Sequence, residues 1–174
     1  MNEVFNKEFT HLKIHTQYSI CEGALRTSDL AKYCKINKIK AVGLCDSNNL
    51  CGALEFSETI AKSKTQPIIG TQINIKYKDN IGKIPLFAKD LNGYKNLIKL
   101  SSKSFLEINN DEEPHCKIED IEKNYEGLIL LSGTFDGLIG KLFFKNLTDE
   151  ISVLFKRFKK IFKDNFYLEI QRHN

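Results

Sequence analysis

Five short apolar runs, at residues 39–45, 67–75, 84–88, 127–133 and 166–170, cut the sequence into strand-sized pieces. All but one of the gaps between them are long enough to hold a helix, and a further strand-like stretch opens the chain near residue 9. Apolar runs of this length, alternating with helical periodicity, leave little choice of fold class: an α/β architecture with mainly parallel strands. In the opening stretch, residues 9–23, side-chain alternation puts His11, Lys13 and His15 on one strand face, and a polar turn at Thr16 and Gln17 follows. The plain alternative is a half-buried strand whose polar residues face outward.

The intervening segments carry their own boundary signals. Ser28 is placed to cap a helix bearing Leu30, Tyr33 and Cys34 and ending near Asn37. The asparagines of the polar loop 46–49 are placed to cap a second helix, with Leu50, Ala53, Leu54 and Ala61 as its apolar stripe. Residues 76–83 read as a charged turn, and Pro85 puts the start of the following strand at a sheet edge or a strand beginning. Asn92 is expected to cap a helix over 93–105 bearing Leu97, Ile98 and Leu100, followed by a mobile acidic loop at 107–114. His115, beside Cys116, is expected to be a solvated loop histidine. A short helix at 118–122, another at 137–145, and an amphipathic helix capped by Thr148 with Ile151, Leu154, Phe155, Phe158 and Phe162 on one side complete the pattern. The last strand stops almost at the last residue, so the chain is expected to be incomplete.

The 174 residues suit one domain, and the net charge of +4 comes from bases mixed with acids throughout. No apolar run approaches the ~20 residues that span a bilayer, and the N-terminus lacks a secretory pattern, which points to the cytoplasm. The five cysteines form no CxxC pair; Cys34 and Cys45 read as core residues, and the spacing does not favour zinc. Lys156, Arg157, Lys159 and Lys160 could meet nucleic-acid phosphates, but a solvated helix face is the expectation. Residues 133–137 are turn chemistry, not a phosphate-cradling GxxxxGK loop.

In parallel α/β folds, site residues gather at the C-terminal ends of strands, here His15, Asp46, Thr134 and His173, with Gln72 inside its strand. Two histidines and a carboxylate could hold a divalent metal and a water for phosphoester hydrolysis. Their neighbours Lys13, Ser47, Gln72 and Thr134 are poor ligands, and an ammonium at Lys13 would repel the cation.

The motifs HLKIHTQYS (11–19), CDSNNL (45–50) with GALEF (52–56), PIIG (67–70), NGYKNLIKLSS (92–102), GLILLSG (127–133) and YLEIQRH (167–173) follow in order. As an ordered set covering residues 1–174, they resemble the bacterial replicative DNA polymerase III alpha subunit family in its N-terminal polymerase-and-histidinol-phosphatase (PHP) domain. The resemblance implies a distorted, TIM-like β/α barrel, incomplete here, with the polymerase palm, fingers and thumb absent. In metal-binding members, HxH stands at Lys13 and His15, Asp-His at Asp46 and Ser47, a glutamate at Gln72 and a cysteine at Thr134. This chain keeps His15 and Asp46 alone, which resembles the degenerate branch: a scaffold with no catalytic residue and no metal of its own, the parent's Mg2+ lying in its missing palm. Implied partners are the rest of the polymerase body, the proofreading exonuclease subunit and, through the parent, DNA; no membrane is implied. A free-standing metal-dependent PHP phosphoesterase and a truncated barrel acting as an interaction module are the alternatives. We also expect Lys13 to fill the space of the lost metal and pair with Asp46, with Gln72 adjacent, since a buried carboxylate is costly without a partner. Against this stands the possibility that Lys13 reaches solvent and Asp46 caps the next helix.

Overall fold

A computed structural model describes residues 9–109 and 111–170, so His173 lies outside the described residues. Among the described residues, seven strands and six α-helices follow one another in the order β1 (His11–Ile14), α1 (Thr27–Ile36), β2 (Ala41–Ser47), α2 (Ala53–Lys62), β3 (Gln66–Tyr77), β4 (Asn80–Ala88), α3 (Leu91–Leu106), β5 (Cys116–Lys117), α4 (Ile118–Lys123), β6 (Leu128–Leu131), α5 (Leu138–Phe144), α6 (Thr148–Phe162) and β7 (Phe166–Tyr167). They form one sheet of order β1-β2-β3-β4-β6-β7, with β5 beside β3. β1–β2, β2–β3, β3–β5 and β6–β7 pair in parallel, while β4 runs antiparallel to both neighbours. The sheet curls enough to bring side chains from its two edges into reach: the ammonium of Lys13 on β1 lies 3.4 Å from the carboxylate of Glu169, just past β7. The result is the expected α/β half of a distorted barrel, mainly parallel.

The antiparallel strand was not legible as such. The segment 76–83 is not a charged turn but the meeting of two strands, paired as far as Tyr77 and Asn80. Its charges misled because Lys76 and Lys83 point away from the apolar layer, to Glu112 and Glu22. Pro85 sits mid-strand, one residue before pairing with β6 begins at Leu86, where β4 still has a bare side that needs no proline N–H.

Alternation divides the sheet into two faces. Val42, Leu44, Ile73, Ile75, Ile84, Leu86, Leu128 and Leu130 meet the helices in two apolar clusters. One holds α1 and α2 through Leu30, Cys34, Phe56 and Ile60; the other holds α3 to α6 through residues such as Leu97, Leu100, Ile121, Leu142, Leu154 and Phe158. Helix phase departs from expectation in α2, where Ala53, Phe56 and Ile60 are buried and Leu54 is 70% exposed. On α3, Ile98 is exposed as well.

The expected caps also move. Ser28 lies inside α1, whose cap position is Arg26; Asn48 and Asn49 bond loop and strand groups, not the start of α2. Thr148 is the first residue of α6, not its cap. For α3 the cap is Asp90, which accepts from the Gly93 N–H at 2.9 Å, while Asn92 turns to Glu126. The acidic stretch after α3 is tied down through Glu112 to Lys76 and Glu113 to Asn74. His115 is buried, its Nδ1 2.8 Å from the Glu113 carbonyl, which corrects the solvated reading.

Where α3 begins, two glycines let backbones touch. Gly127 has φ +70°, and a Cβ there would lie 2.3 Å from the Asp90 carboxylate and 2.4 Å from the Gly93 nitrogen. Gly127→Ala is expected to lower stability by about 2 kcal/mol or more, read as a fall in the thermal midpoint. Leu54→Gln, on the exposed side of α2, should change it by less than about 0.5 kcal/mol.

Candidate functional site

At the C-terminal end of β2 the chain buries a carboxylate. Asp46 is wholly inaccessible, and its oxygens accept from the Thr16 N–H at 2.6 Å, the Thr16 hydroxyl at 2.7 Å and the Ser19 hydroxyl at 2.6 Å. The donors come from the turn after β1, itself closed by Ser19 N–H to Thr16 carbonyl and Gly23 N–H to Ser19 carbonyl bonds. Three charge-assisted bonds satisfy the carboxylate without a cation. The expected Lys13–Asp46 pair is therefore not the one formed, and neither does Asp46 cap the next helix. Lys13 instead reaches Glu169 and the Thr134 hydroxyl, each at 3.4 Å.

The opposite face of the curled sheet opens as a cleft of about 730 Å³ lined by Lys13, His15, Glu22, Gln72, Lys83, Thr134, Phe135 and Asp136. The fold thus gathers Lys13, His15, Gln72 and Thr134, as expected, and Ser47 stands beside them. Gln72 donates to the Ser47 hydroxyl at 2.9 Å, and Ser47 bonds Glu22. Four lining residues were missed: Phe135 and Asp136, which directly follow Thr134, and two from elsewhere in the chain. Lys83, hidden in the supposed turn, bonds Glu22 and lies 3.2 Å from Ser47; Glu22 reaches in from the loop after β1. Once β4 is known to start at Asn80, alternation from the core residues Ile84 and Leu86 would have put Lys83 on the cleft face.

His15 lies 3.3 Å from Ser19 through Nδ1. Because the single Ser19 proton is committed to Asp46, the imidazole must donate in that contact, which assigns its proton to Nδ1. Burial lowers the basicity of His15, and the Glu22 carboxylate only partly opposes this. Burial pushes Glu22 upward, but hydrogen bonds from Lys83 and Ser47 outweigh it and hold the carboxyl below its ordinary value. The Thr134 hydroxyl does the same for Asp136. Burial raises the Cys45 thiol, which disfavours its thiolate.

A divalent metal fits this cleft poorly. It would meet one imidazole and the carboxylates of Glu22 and Asp136, with the ammonium groups of Lys13 and Lys83 in the same space and Asp46 turned away into its own donors. Among the described residues no group of three His, Cys, Asp or Glu side chains is arranged to hold a metal ion. Elsewhere, Arg157 is bound by Glu119 and Glu122, and the described helices include none long and apolar enough to cross a membrane.

Asp46→Asn would turn an amide N–H₂ onto donors, and is expected to cost about 2–4 kcal/mol in chemical denaturation. The pH response separates two windows. His15 binds a proton less readily folded than unfolded, so its stabilisation is complete above about 6.5 and lost as pH falls below that value. Glu22, depressed in the folded state, contributes above its ordinary value near 4.5 and loses that contribution as pH drops further. A thermal-midpoint profile should show both declines in the parent chain, and His15→Asn should remove the upper one alone.

The family model described as "PHP domain" matches residues 11–173. A DNA polymerase III subunit alpha of Rickettsia prowazekii is 39% identical over 96% of this chain and 14% of its own length. The same-named proteins of Borreliella burgdorferi and Haemophilus influenzae are 38% and 32% identical, over 97% and 94% of this chain and 16% and 14% of theirs. The chain therefore spans about one-seventh of the relatives it matches. A solved amidohydrolase from Chromobacterium violaceum overlays 54% of this chain and 34% of its own at TM-score 0.43 and 15% identity, too partial an overlap to argue from. The motif order, the curled sheet and the family match agree, and the chain belongs to the PHP domain family, in a form similar along almost its whole length to bacterial DNA polymerase III alpha subunits.

Proposed function

We propose that this chain serves as the PHP scaffold of a replicative DNA polymerase III alpha subunit, in which template-directed DNA synthesis belongs to other domains. The observation that carries this reading is the filling of the cleft: Lys13 and Lys83 supply fixed positive charge where a hydrolase of this type would need metal ions, and each is held by an acid. An ammonium cannot act as a Lewis acid or lower the pKa of a bound water as a metal does, so the two lysines do not replace the hydroxide-generating chemistry that metal ions would supply. What the two ion pairs can do is hold the loop after β1 and the segment after β7 onto the sheet, keeping the half-barrel curled. In this reading the scaffold packs against the polymerase body, helps dock the proofreading exonuclease subunit in the cytoplasm, and meets DNA through the parent protein, whose Mg2+ belongs to its palm.

Elemental analysis after equilibration with zinc or manganese is expected to give well below one ion per chain, with no release of phosphate from simple phosphomonoesters. Stoichiometric metal together with turnover would overturn the scaffold reading in favour of a free-standing phosphoesterase. Purified proofreading subunit should co-elute with the chain; a chain that binds neither it nor the polymerase body would not be a docking scaffold.

A further inference from the structure

Helix α6 segregates its cations in an uneven way. Arg157 turns inward and is bound through its guanidinium by Glu119 and Glu122 on α4. Lys156, Lys159 and Lys160 are exposed, and Lys163 continues their line at the C-cap. Each of these four lysines stands three or four positions from two of the others, the spacing at which helix side chains are neighbours. Among the described residues Lys156, Lys160 and Lys163 have no carboxylate within ion-pair distance, and Lys159 has only the fully exposed Asp164 at 3.6 Å.

Like charges at this spacing destabilise a helix by a few tenths of a kcal/mol for each pair. The helix dipole offsets this for cations in the last turn, but it decays before Lys156. The acids of α6 are not used to relieve the repulsion: Asp149 and Glu150 stand in the first turn, and Glu150 is committed to Tyr77 and Lys78. The helix therefore keeps a row of uncompensated charge facing outward, while the one cation that could form a bidentate clamp is spent on α4. From Lys156 to Lys163 the row is about 10 Å long, the axial span of roughly three steps between phosphates on one strand of a duplex.

We propose that this lysine row is a sequence-independent contact for the phosphate backbone of duplex DNA. The choice of DNA as the polyanion rests on the polymerase assignment above; the row itself does not. Lysines act here as point charges that release condensed counterions, with no base recognition.

The test is fluorescence anisotropy of the whole chain with a labelled duplex of random sequence, across a salt series. Lys156→Gln, Lys160→Gln and Lys163→Gln combined should weaken binding at low salt at least about tenfold and flatten the dependence of log affinity on log salt by about 0.9 for each lysine. Replacing Lys35, Lys38 and Lys62 with Gln, an equal charge change on another exposed face, should leave both nearly unchanged. The corresponding triple Lys→Arg variant should restore binding, and far-ultraviolet circular dichroism should show that every variant keeps its helix content. Equal losses in both glutamine triples, no measurable duplex binding by the parent chain, or displacement by polyglutamate at lower concentration than by unlabelled duplex would each overturn the proposal, the last in favour of an acidic protein partner. None of these outcomes bears on metal loading or on co-elution with the proofreading subunit, so the scaffold reading stands or falls separately.

Discussion

The three hydrogen bonds that enclose Asp46 set the terms for the rest of the cleft. A buried carboxylate must be matched, and here the match comes from a backbone N–H and two hydroxyls supplied by the turn after β1. Those bonds fix where that turn lies, bring Glu22 over the sheet and commit the proton of Ser19, which in turn orients His15. With Asp46 internally satisfied, Lys13 has no reason to approach it and is available to Glu169 across the curl. The arrangement is a set of local neutralisations, each cation with its own acid, and so it leaves little net charge in the cleft to attract either a metal ion or an anion.

Much of the fold was written in residue order. Strands with apolar residues on both faces, such as β2, stand out as uninterrupted runs, and helices such as α6 show a clean stripe through Leu154, Phe158 and Phe162. The missed strand extents share one cause. β3 and β4 extend beyond their apolar centres, and their ends alternate core residues with Lys76 and Lys83, so the charges hide the period of two. The partners that let those lysines sit there, Glu112 and Glu22, come from loops distant in sequence, and local patterning carries no trace of them. Caps failed for a simpler reason: Ser28, Asn92 and Thr148 are each good capping types, but the helix boundary falls one or two residues away, set by tertiary packing.

The site was legible as a location and not as a network. Strand ends and family motifs placed Lys13, His15, Gln72 and Thr134 around one space, and the cleft contains all four. The pairing of Lys13 with Asp46 followed from the sound premise that a buried acid needs a partner, but it overlooked that Thr16 and Ser19, one turn away, are ample donors. Lys83 escaped because the start of its strand was read four residues late, and Glu22 because a loop glutamate carries no periodic signal at all.

The bridge between Lys13 and Glu169 joins residues 156 positions apart, nearly the full length of the described chain. Long-range closures of this kind form late, since the entropy of the intervening loop must be surrendered before the contact returns anything. A nascent chain emerging N-terminus first would hold β1 to β4 together with one side of the curl still open, Lys13 facing water until the final strand arrives. Arrival of Glu169 is then also the moment at which Lys13 gains its acid, so that this part of the cleft matures only once the segment after β7 has been made.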